Sequence, residues 1–358
     1  MKRTLLIGLA LLAIASTLVA CAGGGGGGNG GGGGGGGTPT TVAAQYRVIV
    51  VPILSGSENM ASAVNRAGQV IGTSGPGGSE RAYYWDSTNG LVTLHGAGNP
   101  AGATSFGLGV NSQGEACGIL NLPGSAKGFY ALQSGGGFID DDSADKAYSS
   151  GFAINSTRRV AGTRGTSFAT RYPIVFNTNN VTSERITMNG TTDWVGECTD
   201  INDNADIVGW VENGGRQVGF FRQSLGTATQ IASPNVGEDQ QFTALNGVRN
   251  VCGRRGDQAI FMAAGSPPVV IGGLVGSTLS EAHDISDGNI VVGHSNFGLL
   301  DRAFAWSSVQ GMINLQTRLD ATGAGWVLNR ANGISGDGRI CGVGTLNGVT
   351  RAFVLVPK

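Results

Sequence analysis

Short apolar runs recur along this chain between polar, glycine-rich turns, and they keep a fixed internal spacing. An aliphatic residue precedes an Asn or Ser anchor, and a glycine follows that anchor by seven positions. The anchors are Asn65, Asn111, Asn155, Asn202, Asn246, Ser286 and Ser335, preceded by Val64, Val110, Ile154, Ile201, Leu245, Ile285 and Ile334. The glycines are Gly72, Gly118, Gly162, Gly209, Gly253, Gly293 and Gly342, each preceded by a small or apolar pair such as Val70-Ile71 or Ile340-Cys341. Asn and Ser bond the local backbone and Gly accepts positive φ, so this pattern predicts a β-hairpin in every copy.

Sixteen residues past the anchor a basic residue recurs, as Arg81, Lys127, Arg171, Arg302 and Arg351, usually followed by a small residue and an aromatic. That predicts a third strand, and a fourth apolar stretch follows, as at Leu91-Val92-Thr93-Leu94. The fifth copy is four residues shorter before its third strand, and the third carries Pro173 in place of the aromatic. Successive anchors lie 40 to 49 residues apart, the period of a four-stranded propeller blade. The last copy stops at its third strand, whereas an unpaired apolar strand at residues 46–51 precedes the first anchor. The expected fold is therefore all-β: a seven-bladed β-propeller closed by the N-terminal strand, with an open β-solenoid of seven repeats as the alternative. Small residues at Ala61, Gly107, Gly151, Ala282 and Ala331 suit an innermost strand crowded around a narrow channel.

Residues 61–72, 302–306 and 331–357 carry a resemblance to the HAF repeat family of bacterial extracellular proteins. It extends from about Tyr46 to the end, and is strongest in the first unit and the last two. The resemblance implies an exported repeat protein and transfers no catalytic residue.

The amino end is organised differently. Lys2 and Arg3 precede an apolar run from Leu5 to Ala15 that resumes at Leu18, the layout of a secretory signal and short for a bilayer span. Leu18-Val19-Ala20-Cys21 resembles the lipobox of bacterial lipoproteins, which implies lipidation at Cys21. Ala22 follows the cysteine, and by the family's rule that implies outer-membrane sorting in a Gram-negative cell. Residues 23–37 are glycine except Asn29 and behave as a flexible tether. The expected organisation is a signal peptide at 1–20, a lipidated Cys and Gly-rich tether at 21–43, and the repeat domain at 44–358. The expected location is the cell envelope, at the outer membrane or cell surface.

The chain has 358 residues, 64 of them Gly, and a formal net charge of −1. Near-neutrality supplies no basic field for a polyphosphate, so no nucleic-acid partner is expected. Apolar residues make up 40%, enough to bury a core rather than stay disordered.

Candidate chemistry is sparse. Of the three histidines, His95, His283 and His294, none forms a close-spaced ligand pair in sequence, and no zinc motif, nucleophile elbow or phosphate loop is present. The expectation is no metal and no cofactor, with calcium at Asp140-Asp141-Asp142 the one ion considered. Arg255-Gly256-Asp257 reads as turn chemistry rather than as an adhesion tripeptide. The recurring basic residues are expected to pack across a blade and bond a neighbouring carbonyl or carboxylate, with an anion-binding ring as the alternative. Cys117, Cys198, Cys252 and Cys341 fall in units too far apart for most pairings, so buried free thiols are expected.

Loops joining second to third strands, and each unit to the next, emerge on one face. That face gathers His95, Asp141, Asp193, Trp194, Glu238, Asp239, Arg254, His294, Arg318 and Trp326. Trp194, Trp326, Asp141, Glu238, His95 and Arg254 are the ligand-binding candidates, the tryptophans either stacking on a sugar or peptide or capping blade ends. The functional expectation is a monomeric, surface-tethered, non-catalytic binding or scaffold lipoprotein with a glycan or peptide ligand. The alternative is an envelope carbohydrate-active enzyme using Asp141 and Glu238.

Overall fold

The computed structural model describes residues 40–94, 102–132, 135–139, 148–224 and 226–358. Cys21, the signal segment, most of the glycine tether, His95 and Asp140 to Asp142 lie outside the described residues. The fold is all-β, built from consecutive units of four antiparallel strands. The second and third units also share one parallel pairing, Tyr148 with Ala126.

The first unit runs through Asn59–Val64, Val70–Ser74, Arg81–Asp86 and Gly90–Thr93, paired in that order. The seventh contributes Trp326–Ile334, Ile340–Leu346 and Val349–Pro357, and takes its fourth strand from the chain start. Tyr46–Val50 pairs antiparallel with Val349–Pro357, with Val48 opposite Leu355 and Val50 opposite Phe353. Folding starts slightly before the expected boundary at residue 44. Val42 is buried, and its amide and carbonyl are both held by the Gln310 side chain.

Each element of the repeat has a visible cause. The anchor side chain accepts the backbone N–H four residues on: Asn65 from Gln69, Asn111 from Glu115, Asn202 from Asp206, and Ser335 from Arg339. That closes the first hairpin. The anchor amide also donates to the next anchor's carbonyl, Asn65 to Asn111, Asn111 to Asn155, Asn155 to Asn202, Asn202 to Asn246 and Asn246 to Ser286, at 2.8–3.0 Å. A serine lacks both the reach and the second donor, which explains where this ladder stops.

The glycine seven residues on lies against the first strand. A Cβ at Gly72, Gly118, Gly162, Gly209, Gly253, Gly293 or Gly342 would overlap the carbonyl of Met60, Phe106, Ser150, Glu197, Gln241, Glu281 or Arg330 respectively. In five units an aromatic from the third strand lies directly across that glycine: Tyr83, Phe129, Phe220, Phe304 and Phe353. All five rings are fully buried.

The core is divided into layers between adjacent units. Ala63 and Ile71 meet Val110 and Ala116 between the first and second, Val208 meets Phe242 and Ile260 between the fourth and fifth, and Ala61 and Tyr83 meet Cys341 and Ala352 between the first and seventh. First strands of neighbouring units touch, Asn59–Val64 against both Thr104–Val110 and Trp326–Ile334. The bonds between units repeat as well. Thr199, Thr243 and His283 each bond the carbonyl of the next unit's first strand, at Phe242, Ala282 and Ala331; Asn332 of the seventh unit does the same to Ala61 of the first. Third-strand amides donate forward in the same way, Ala82 to Ser105, Ala259 to Ser280, and Ala352 to Asn59.

Three recurring basic residues do what the spacing suggests. Arg81 binds the Ala103 carbonyl, Arg351 the Ser57 carbonyl, and Arg171 the Glu197 carboxylate at 2.6 Å. Cys117, Cys198, Cys252 and Cys341 are free and buried, and burial pushes each thiol well up.

Two buried carboxylates join units by their main chains. Asp200 accepts the N–H of Ile201 and of Leu245 in the next unit, both at 2.8 Å. Asp284 accepts those of Ile285 and Ile334, both at 2.7 Å. Burial raises the Asp200 pKa to about 7 despite those two amides, and burial followed by the Asp200 charge raises that of Asp284 further. A carboxyl raised on folding binds its proton more tightly in the native state, so its contribution is full below the unfolded pKa and is lost as pH rises through the folded one. Asp200→Asn should therefore flatten the pH dependence of stability. Between about pH 4 and 7 the parent should lose stability relative to the variant by roughly 1 kcal/mol per pH unit, read from urea midpoints at several pH values. Parallel curves would show that Asp200 ionises alike in both states.

Candidate functional site

The fifth, sixth and seventh units bring a set of polar side chains together at one end of the assembly, where second strands hand over to third strands. In the sixth unit Glu281 lies directly across from His294 in the pairing of Leu279–Ile285 with Val291–Asn296. The ladder bulges between Ala282 and Asp284, and His283, the extra residue there, turns its ring toward His294. Asp301 opens the third strand opposite Asn296. Arg254 reaches in from the fifth unit and Arg330 from the seventh.

The contacts form a continuous network. His283 Nδ1 is 3.1 Å from the Ala331 carbonyl, and since a carbonyl only accepts, this nitrogen carries the proton. His283 Nε2 is 3.1 Å from His294 Nδ1 and 3.8 Å from Glu281 Oε2. The other Glu281 oxygen meets Arg254 Nη1 at 3.2 Å. His294 Nε2 lies 3.9 Å from Asp301 Oδ1, and Asp301 Oδ2 accepts from Arg330 Nε at 2.5 Å. Both histidines are buried, while the side chains of Glu281, Arg254, Asp301 and Arg330 are 16–27% exposed and form the rim.

The electrostatics follow from that layering. Burial, reinforced by His283 and Arg330, drives the His294 pKa down to about 3, so its imidazole is neutral. Burial alone would raise Glu281, but His283 and Arg254 outweigh it and hold the pKa at about 2. Burial likewise opposes ionisation of Asp301, and the Asn296 amide and Arg330 overcome it. The arrangement is a neutral His294 imidazole against the His283 ring, beneath two ionised carboxylates.

Of the residues the sequence nominates, Arg254 and His294 sit in this network. Among the described residues, the others do not join it. Trp326 is buried against Phe353, rings edge to face at 5.9 Å, so it is core and offers no open stacking surface. Trp194 is half-buried against the third- and fourth-unit core and its indole N–H donates to the Met188 carbonyl. The Glu238 carboxylate accepts from Ser233 and Asn235 of its own loop, both at 2.8 Å. His95 and Asp141 lie outside the described residues. Arg255 of the Arg-Gly-Asp tripeptide is buried on Gln240 and the Pro268 carbonyl.

Glu281, His283, Asp301 and Arg330 are absent from the ligand-binding candidates read from sequence. His283 and His294 are not close-spaced in sequence, yet the fold brings them together: Glu281, His283 and His294 place three donor atoms within 4.8 Å of one another. The signal lies in the repeat itself. Arg254 and His294 both stand immediately after the conserved-spacing glycine, Glu281 and Arg330 both stand five before the anchor, and His283 takes the slot that Thr199, Thr243 and Asn332 fill elsewhere. Aligned unit against unit, the fifth and sixth copies carry Arg254 and His294 where Thr73 and Ile119 stand in the first two, and the sixth and seventh carry Glu281 and Arg330 where Met60 and Phe106 stand.

No family model and no curated protein matches this sequence. Among solved structures, the chain is similar to a streptogramin B lyase with a TM-score of 0.55 at 10% identity, over 88% of this chain and 100% of that one. It is similar to a catalytically inactive His-to-Ala variant of virginiamycin B lyase from Staphylococcus aureus with quinupristin, with a TM-score of 0.53 at 10% identity over 87% and 100%. An oligogalacturonate lyase from Vibrio parahaemolyticus matches with a TM-score of 0.52 at 10% identity over 87% and 98%. At such identity the likeness is one of fold, a propeller-like scaffold, and carries no activity across.

Proposed function

We propose that this protein is a lipid-anchored binding module of the cell envelope: a seven-bladed β-propeller of the HAF repeat kind, closed by its N-terminal strand and tethered through Cys21. Its ligand site is the cluster of Arg254, Glu281, His294, Asp301 and Arg330. The observation that carries the reading is convergence. Three units place both charge signs and two imidazoles in one network at the loop-rich end, the position where ring-shaped β folds hold ligands at their mouths. Closure is supported by the bonds from Asn332, Arg351 and Ala352 back to the first unit. The non-catalytic reading is favoured over a carbohydrate-active enzyme because Glu238 is engaged by its own loop and Trp326 is buried.

Paired guanidinium and carboxylate groups at a partly exposed rim suit a ligand rich in hydroxyl or amide groups, a glycan or a peptide. The test uses the full chain carrying Cys21→Ser, which should leave the membrane fraction and lack the acyl mass of the parent, because the thioether requires sulfur. Probed on glycan and peptide arrays, that chain should retain a ligand class, and Arg330→Ala should weaken retention roughly 10-fold or more, the cost of a lost charge-assisted hydrogen bond. Unaltered fractionation overturns the anchor. An array with no retained ligand, or one indifferent to both Arg330→Ala and Arg254→Ala, overturns the site.

A further inference from the structure

We infer that Glu281, His283 and His294 form a binding site for a single first-row divalent transition ion, with zinc the best fit. The inference deepens the binding role above and rests on it for its purpose, though the geometry stands independently.

The ligand atoms are His283 Nε2, His294 Nδ1 and a Glu281 carboxylate oxygen. A nitrogen and oxygen donor set of this kind suits zinc and its neighbours and not calcium, which takes oxygen throughout. A tetrahedral ion with bonds of about 2.0–2.2 Å requires donors a little over 3 Å apart. The two nitrogens at 3.1 Å and the nitrogen and oxygen at 3.8 Å come within a small side-chain adjustment of that.

The surrounding groups orient the donors. His283 carries a proton on Nδ1, toward the Ala331 carbonyl, and so aims Nε2 at His294. Thr199, Thr243 and Asn332 fill the same slot between units with side chains that end at that bond. His283 alone among these has a second nitrogen left over, and it points into the cluster. Ligation through His294 Nδ1 puts the His294 proton on Nε2, which lies 3.9 Å from the Asp301 carboxylate, the carboxylate–histidine–metal arrangement that fixes a ligand's tautomer. Glu281 is held by Arg254 through its other oxygen. Three protein donors leave the fourth position of a tetrahedral ion to water or a ligand, and Glu281, 17% exposed, is the donor nearest solvent.

The test is a titration of the full chain, purified in detergent and stripped with chelator, using zinc or cobalt alone. One equivalent should bind, raising the melting temperature, and cobalt should give the visible absorption of a low-symmetry site without a sulfur charge-transfer band, since all four described cysteines are buried. His294→Gln and Glu281→Gln should each abolish saturable binding, and Asp301→Asn, which removes the carboxylate that orients His294, should weaken it roughly 10–100-fold. If His294→Gln fails to fold, Glu281→Gln at the rim decides. No saturable uptake by the folded parent, or unaltered uptake by a folded Glu281→Gln chain, overturns the site. Because no organic ligand enters this titration, its failure is distinct from an empty array.

Discussion

Deleting residues 46–50 should melt the whole domain at temperatures where the parent stays folded, rather than shorten one sheet. This strand comes from the chain start and forms the outer edge of the unit built from the chain end. Its loss removes the ladder to Val349–Pro357 and bares Phe353 and Leu355, both fully buried in the parent. It also removes Tyr46 and Val48 from a core layer shared with Val292, Ile313, Leu315 and Leu328 of two units. Burying one such side chain is worth about 1.5–3 kcal/mol, so the deletion costs on the order of 5 kcal/mol against a net stability of about 5–15. Circular dichroism melts check this, with a chain lacking residues 23–37 as the control that should melt like the parent. A strand deletion that melts unchanged would show that the seventh unit stands on three strands and that closure contributes little.

Gly118→Ala should destabilise the protein by about 3 kcal/mol or more, at the upper end of what overpacking costs. The added methyl would overlap the Phe106 carbonyl and the Phe129 ring. The carbonyl belongs to the paired first strand and the ring is fully buried, so neither can move aside cheaply. Gly124 is the control. It has a φ of +83°, and a Cβ there meets nothing within 4 Å. Gly124→Ala thus bears only the left-handed backbone strain of about 1–2 kcal/mol. Urea midpoints compare the two, and equal losses would mean that the glycine spacing reflects backbone conformation alone.

Both predictions rest on features that are visible in the sequence as a pattern before their cause is known. The seven-residue interval from anchor to glycine can be read from residues 65 to 72 onward, and it marks a hairpin because Asn65 caps the turn and Gly72 lies under the first strand. The aromatic after the recurring basic residue is equally legible, and the structure supplies its reason: Tyr83 or Phe129 lies across a glycine that leaves room for a ring. Trp326 shows the limit of such reading. Its position at the start of a unit is correct, but whether an indole at a strand end faces solvent or folds onto Phe353 depends on the neighbouring strand.

The sequence by itself determined the local grammar of this protein: hairpins, four strands to a unit, a strand left over at the start, and thiols mostly spaced too far apart to pair. These are set by turn chemistry and by side-chain alternation, which act over a few residues and repeat. Only the tertiary structure decided the site. Glu281 and His294 are thirteen positions apart, and they meet because antiparallel register places them opposite each other. Arg254 and Arg330 belong to different units, and they arrive because adjacent units share buried layers. Packing between units is a cooperative outcome of the whole chain, and no spacing within one unit encodes it.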